Sequence, residues 1–176
     1  MKQSELAWQA GIIDGEGCLT LAKQLRKGRP SPAYRPMVTV SNTDRRLIAP
    51  FCDSWGGTLY KRPDSRKELR WADSWTWYCP RSAVSPFLRA ILPHLRGKAE
   101  QAKVLIKFVE RCKTFPRSKG NAMPKKRGGS KPLGEAEIQF RDEVWNAIRQ
   151  LNAKGQFSRK GGTPTAPTTP PHRRLV

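Results

Sequence analysis

Glu16 stands in the run Trp8-Gln9-Ala10-Gly11-Ile12-Ile13-Asp14-Gly15-Glu16-Gly17-Cys18. The run reads as the last three turns of a helix leading into an acidic turn, with Gly15 as the glycine that stops the helix. A carboxylate just past a helix C-terminus faces the negative end of the macrodipole, an unfavourable place unless a cation shares it. A divalent metal ion is such a cation, and Mg²⁺ or Mn²⁺ suits oxygen donors of this kind. The Gly15 carbonyl is a further oxygen for it. Asp14 is the rival acid; at a helix end it can equally cap, or bond across an interface. Without a metal, the same residues describe a solvated turn.

The helix that must position these acids carries two faces. Leu6, Ala10 and Ile13 form an apolar one. Ala7, Gly11 and Gly15 recur every four residues and line up small side chains, so another backbone can approach closely there. Glycine inside a helix costs about 1 kcal/mol against alanine, so Gly11 needs a packing reason. That reason is either a helix crossing within the chain or a second copy of it.

In order, Ala10 to Gly17 reads Ala-Gly-Ile-Ile-Asp-Gly-Glu-Gly. The string resembles the motif of the LAGLIDADG homing endonucleases, with Gln9 where the family name has leucine and Glu16 where it has aspartate. The resemblance implies two such helices packed together, each ending in a metal-binding acid. It also implies the αββαββα fold and cleavage of both DNA strands across the minor groove. Hydrolysing a phosphodiester needs an activated water, a cation on the phosphate and stabilisation of the leaving oxygen, which two oxygen-ligated metals supply. One acid per chain is a thin supply of ligands. The chain has no second acidic Gly-x-Gly turn and no internal repeat, so a homodimer is expected, with Ala7, Gly11 and Asp14 at its interface. The family's active-site lysine falls on Lys98, after Leu95-Arg96-Gly97; apart from the resemblance this is an ordinary lysine. Its basic position falls on Arg45 or Arg46, and its polar, water-positioning one on Ser41 or Asn42.

Among 176 residues the formal charge is +20, an excess that calls for a polyanionic partner. With 37% apolar residues and six tryptophans there is enough for a core, which excludes a merely disordered basic chain. Residues 1–115 hold 21 basic and 10 acidic residues, so the expected folded part is basic by itself. The four cysteines form no Cys-x-x-Cys pair, and reduced, mostly buried thiols are expected rather than a zinc site. No apolar run spans a membrane and the N-terminus lacks a signal-peptide pattern. The expected location is intracellular, with host DNA (bacterial cytoplasm or an organelle), not secreted, and no small-molecule cofactor is expected.

Alternation from Cys18 to Lys27 predicts a strand with Leu19, Leu21 and Leu25 on one face and Thr20, Ala22, Gln24 and Arg26 on the other. Arg35 to Asn42 predicts a second, with Val38 and Val40 inward and Arg35, Met37, Thr39 and Ser41 outward. Thr43 and Asp44 cap a helix carrying Leu47, Ile48, Phe51 and Trp55, stopped by Gly56-Gly57. Thr58 to Arg62 and Leu69 to Cys79 predict the second hairpin. Its tryptophans are read as core or as an exposed stacking surface. Helices follow over Ser85 to Leu95 and Lys98 to Cys112. Paired hairpins with helices imply an α+β domain with an antiparallel four-stranded sheet and helices on one face. The other face fits a DNA major groove. Its expected DNA contacts are Thr20, Ala22, Gln24, Arg26, Arg35, Met37, Thr39, Ser41, Arg62, Arg70, Ser74, Thr76 and Tyr78.

The expected organisation is an endonuclease domain over 1–115, a basic flexible linker over 116–132, an amphipathic helix over 133–153 and a disordered tail over 154–176. The linker, with six basic residues, reads equally as a spacer or as a phosphate contact. The rival reading is a non-catalytic nucleic-acid binder of the same fold, an intron RNA maturase or a DNA-binding regulator.

Overall fold

The computed structural model describes residues 1–25, 27, 31–62, 73–114 and 133–154. Its elements are α1 (Gln3–Glu16), β1 (Gly17–Gln24), β2 (Ala33–Asn42), α2 (Ala49–Trp55), β3 (Thr58–Arg62), β4 (Ser74–Tyr78), α3 (Val84–Ile91), α4 (Ala99–Thr114) and α5 (Glu135–Lys154). Short 3₁₀ turns occupy Arg45–Leu47 and Leu92–His94. The expected α+β succession is therefore present, with one antiparallel sheet in the order β1-β2-β4-β3.

Strand alternation decides which residues meet the helices. The register sets Leu19 against Val38, and Val40 against both Gly17 and Trp77. These large side chains are buried, together with Ala10 and Ile13 of α1, Phe51 of α2, Phe87 and Leu88 of α3, and Leu105 and Phe108 of α4. The tryptophan question resolves unevenly. Trp77 lies in the core, with its ring centroid 5.1 Å from Phe51 and 5.4 Å from Phe87, and its indole N–H donates to the Gly56 carbonyl over 2.8 Å. Trp75 is only half-buried. Gly56 and Gly57 end α2 with φ of 69° and 98°, a left-handed pair that L side chains resist.

Three differences from the sequence expectations have clear causes. Helix α1 runs through Gly15 and ends at Glu16, with Gly17 as its C-cap. Gly17 has φ of −78°, so its glycine answers proximity rather than handedness: a Cβ there would lie 2.6 Å from the Ile13 carbonyl oxygen. Leu25, expected to face inward, falls beyond the end of β1 and is 82% exposed. The inward position after Leu21 is Lys23, whose ammonium donates to Asp142 and lies over the rings of Tyr34 and Trp145. The middle helix breaks in two, because Pro50 in its first turn lacks an N–H to continue the preceding turn. Cys18, expected buried, is exposed, whereas Cys52, Cys79 and Cys112 are half-buried. Of the predicted Leu69–Cys79 strand, Ser74–Tyr78 is described, and Leu69 to Ala72 lie outside the described residues.

Helix α5 completes the core with Val144 and Ile148. It is fastened by charge as well. Glu137, 3% exposed, accepts from Arg111 at 3.2 Å and Arg141 at 2.8 Å. Asn152 donates from its side chain to the Leu19 carbonyl over 3.1 Å, so α5 covers the outer edge of β1. No helix among the described residues is long and apolar enough to cross a membrane. The linker at 116–132 and the tail beyond residue 154 lie outside the described residues.

Candidate active site

The C-terminal end of α1 and the N-terminal end of α4 cap each other. The last carbonyls of a helix have no amide of their own to accept from, and the first amides no carbonyl to donate to. Lys98 sends its ammonium to the Ile13 carbonyl, over 2.8 Å, and to the Asp14 carbonyl. A cation is favourable at this negative pole. In return, the Asp14 carboxylate accepts from the backbone N–H of Arg96 at 2.7 Å and of Lys98 at 2.9 Å, at the start of α4. Asp14 thus commits both oxygens within its own chain. Its expected part in a dimer interface is a separate matter from these bonds, which tie the end of α1 to the start of α4.

Glu16 is exposed and has no hydrogen-bonded or ionic partner among the described residues. It sits in the last turn of α1, where the backbone repels negative charge. The Gly15 carbonyl is one of the unpaired last carbonyls beside it. These donors fit a hard divalent cation, but a cation of that kind takes six or more oxygens. Among the described residues no group of three or more His, Cys, Asp or Glu could hold a metal.

Ala7, Gly11 and Gly15 are exposed, and a Cβ built on either glycine meets no atom within 4 Å. No part of the described chain packs on this stripe, so among the described residues it makes no internal helix crossing.

Gly17 pairs with Val40, which brings the end of β2 alongside the end of α1. The candidates there do different jobs. Asn42 accepts the Asp44 N–H through its side-chain oxygen at 2.8 Å and shapes the turn. Ser41 points to the opposite face, its hydroxyl 2.8 Å from that of Thr76. Arg46 is held by both oxygens of Asp44, and this guanidinium keeps the Asp44 carboxyl below its usual range. Arg45 has no carboxylate partner among the described residues; its guanidinium lies 5.4 Å from the Trp75 ring centroid. Arg45 rather than Arg46 is the uncommitted arginine.

The open sheet face runs in rows across the strands. Cys18, Thr39, Tyr78 and Thr58 form one, and Ser41, Thr76 and Tyr60 another. Thr20 opposes Met37, Ala22 opposes Arg35 and Arg62 opposes Ser74, while Gln24 closes the end. Tyr60, 56% exposed, was missed; extending the alternation back from Arg62 finds it. Arg26 and Arg70 lie outside the described residues.

A four-stranded antiparallel sheet in the order β1-β2-β4-β3 with helices packed on one face is the fold of the LAGLIDADG homing endonucleases. A crystal structure of the homing endonuclease I-CvuI with its target in the presence of Ca matches 93% of this chain and 87% of its own, at 18% identity and TM-score 0.62. The archaeal intron-encoded homing endonuclease I-Vdi141I complexed with DNA matches 87% and 99%, at 8% identity and TM-score 0.55. The meganuclease I-SmaMI bound to uncleavable DNA matches 88% of this chain but 45% of its own, at 14% identity and TM-score 0.53. No family model and no curated protein matches the sequence.

Proposed function

We propose that two copies of this chain pair through the small-residue stripe of α1 and cut both strands of duplex DNA in the presence of a divalent metal. The observation that carries the reading is Glu16, an uncommitted carboxylate at the negative pole of a helix whose neighbouring stripe is bare. Pairing through that stripe would set two copies of Glu16 and the Gly15 carbonyl side by side. Bound there, Mg²⁺ or Mn²⁺ would neutralise the phosphate and activate the attacking water. Lys98 holds the end of α1 in place and lowers the charge cost of a second anion nearby. Arg45, stacked on Trp75, is free to meet a phosphate oxygen. The sheet face offers threonine and serine hydroxyls, Arg35, Arg62 and two tyrosines to base edges in a major groove. A two-fold pair reads two half-sites, so the site would be long and nearly palindromic.

The DNA complexes of the proteins of like fold support the nucleic-acid part of this reading. Selection of cleaved molecules from a library of randomised palindromes, with and without Mg²⁺, tests the remainder. The expected products are double-strand breaks that appear only with the metal, made by a species sedimenting as a dimer. Binding to duplex DNA without metal-dependent nicking would replace the enzyme with the non-catalytic binder.

A further inference from the structure

β4 ends at Tyr78, but β2, its neighbour, continues back to Ala33. The last bond between them is the Cys79 N–H to the Val38 carbonyl, at 3.0 Å. Beyond it the edge of β2 at residues 35–37 has no strand beside it among the described residues. Backbone groups two residues apart point the same way, so Pro36 presents to this edge the position where Val38 bonds Cys79. Proline has no N–H to offer there, and strand addition is blocked.

A groove lies along this edge. One part, of about 440 Å³, has a floor of Pro36, Phe108, Val109 and Cys112 and a rim of Arg81 and Lys113. A second part, of about 270 Å³, shares Pro36 and Arg81 and opens on Arg35 and Tyr78 of the bare sheet face. Among the described residues no acidic one lines either part. Arg35, Arg81 and Lys113 have no ion pair among the described residues, and the nearby Glu110 is taken by Arg89. Three cations with no ion-pair partner among the described residues, of which Lys113 also feels the charge of Glu110, thus rim a passage continuous with the proposed reading face.

We propose that this groove seats the sugar–phosphate backbone of the DNA strand flanking the reading ribbon, with Arg81 and Lys113 as phosphate ligands and the apolar floor against deoxyribose. The inference rests on the DNA-binding part of the proposed function, but not on cleavage. Contacts of this kind fix register and add affinity without reading sequence.

The test is the salt dependence of duplex binding by the full-length chain, measured for wild type, Arg81→Ala, Lys113→Ala, the double variant and Lys103→Ala, on target and on unrelated DNA. Lys103 is an exposed lysine paired with Glu100 and serves as the control. Each groove substitution should lower the log–log slope by about 0.9, and the double by about 1.8. The loss should be equal on both DNAs, because the contact carries no sequence information. Slopes equal to wild type in both single variants overturn the groove while leaving DNA binding standing. A loss confined to the target sequence would make Arg81 a base reader and equally overturn it. Tighter binding of structured RNA than of any duplex, or failure of the wild type to bind duplex, overturns the groove and the nuclease reading together. Circular dichroism melts that match wild type confirm that the exposed substitutions left the fold intact.

Discussion

Two buried or half-buried clusters of charge hold distant elements together, and they differ in one respect. Where α5 docks, every acid is matched: Glu137 lies between Arg111 and Arg141, and Asp142 accepts from Lys23 and Tyr34. Where α1 ends, Asp14 and Lys98 are matched but Glu16 is not. The first cluster is closed and serves the fold. The second is closed around one open carboxylate, and that remainder is what distinguishes a site from a clamp. The same substitution, glutamate to glutamine, should therefore have opposite signatures in the two places.

The largest expected effect is on cleavage. Glu16→Gln should lower it by at least about a hundredfold, beyond the loss typical of a residue that only orients a metal ligand, with duplex binding largely retained. The chain itself should melt slightly higher without metal, since a charge is removed from a helix end that repels it. Near wild-type cutting in Mg²⁺ would erase the contrast on which the assignment rests. Glu137→Gln should act in the other direction: it removes the buried charge that Arg111 and Arg141 both meet and should cost about 3 kcal/mol in a denaturant titration. Binding per folded molecule should not change. A variant as stable as wild type would show that α5 is held by Val144 and Ile148 alone.

Gly11→Leu sharpens the comparison differently. In one chain a Cβ at this position meets nothing within 4 Å, and leucine is the better helix former by about 0.8 kcal/mol. The melting of the isolated chain should hold or rise while sedimentation shifts to monomer and cleavage disappears. Persistence of an active dimer would move the interface off this stripe.

The smallest effect concerns acid. The Lys23 ammonium, helped by the Tyr34 hydroxyl, holds the Asp142 carboxyl below its usual range against the opposing influence of burial. With a folded pKa below the unfolded value of about 3.9, its stabilisation is present above that value and is lost as pH falls through the lower folded one. Asp142→Asn should flatten that part of the stability–pH curve by lowering stability near neutrality, where the contribution is fully present, and the two curves should converge in acid. A curve of unchanged shape would assign the acid sensitivity to Glu110 or Asp44 instead.

Legibility in the sequence followed the range of the interaction. The strand faces, the capping of the middle turn by Asp44, the Gly56-Gly57 stop and the stripe on α1 are written in neighbours a few residues apart, and periodicity finds them. Lys23 was given no place because its acid lies on α5 and its rings come from β2 and α5. The role of Asp14 was hidden for the same reason: its partners are backbone amides 82 and 84 residues away, and an amide carries no mark in a sequence. Gly17 rather than Gly15 proved the required glycine through a clash with Ile13 that depends on how tightly the chain turns into β1.

The exchange of caps between α1 and α4 also sets an order in time. The helix bearing Glu16 is synthesised before Lys98, whose ammonium closes it. At about 5–20 residues per second of synthesis, the helix waits several seconds with its last carbonyls uncapped. A nascent or truncated chain that stops short of α4 would display the acid without the anchor that fixes its direction. The cut, on this reading, is withheld from unfinished protein by nothing more than the distance between residues 14 and 98.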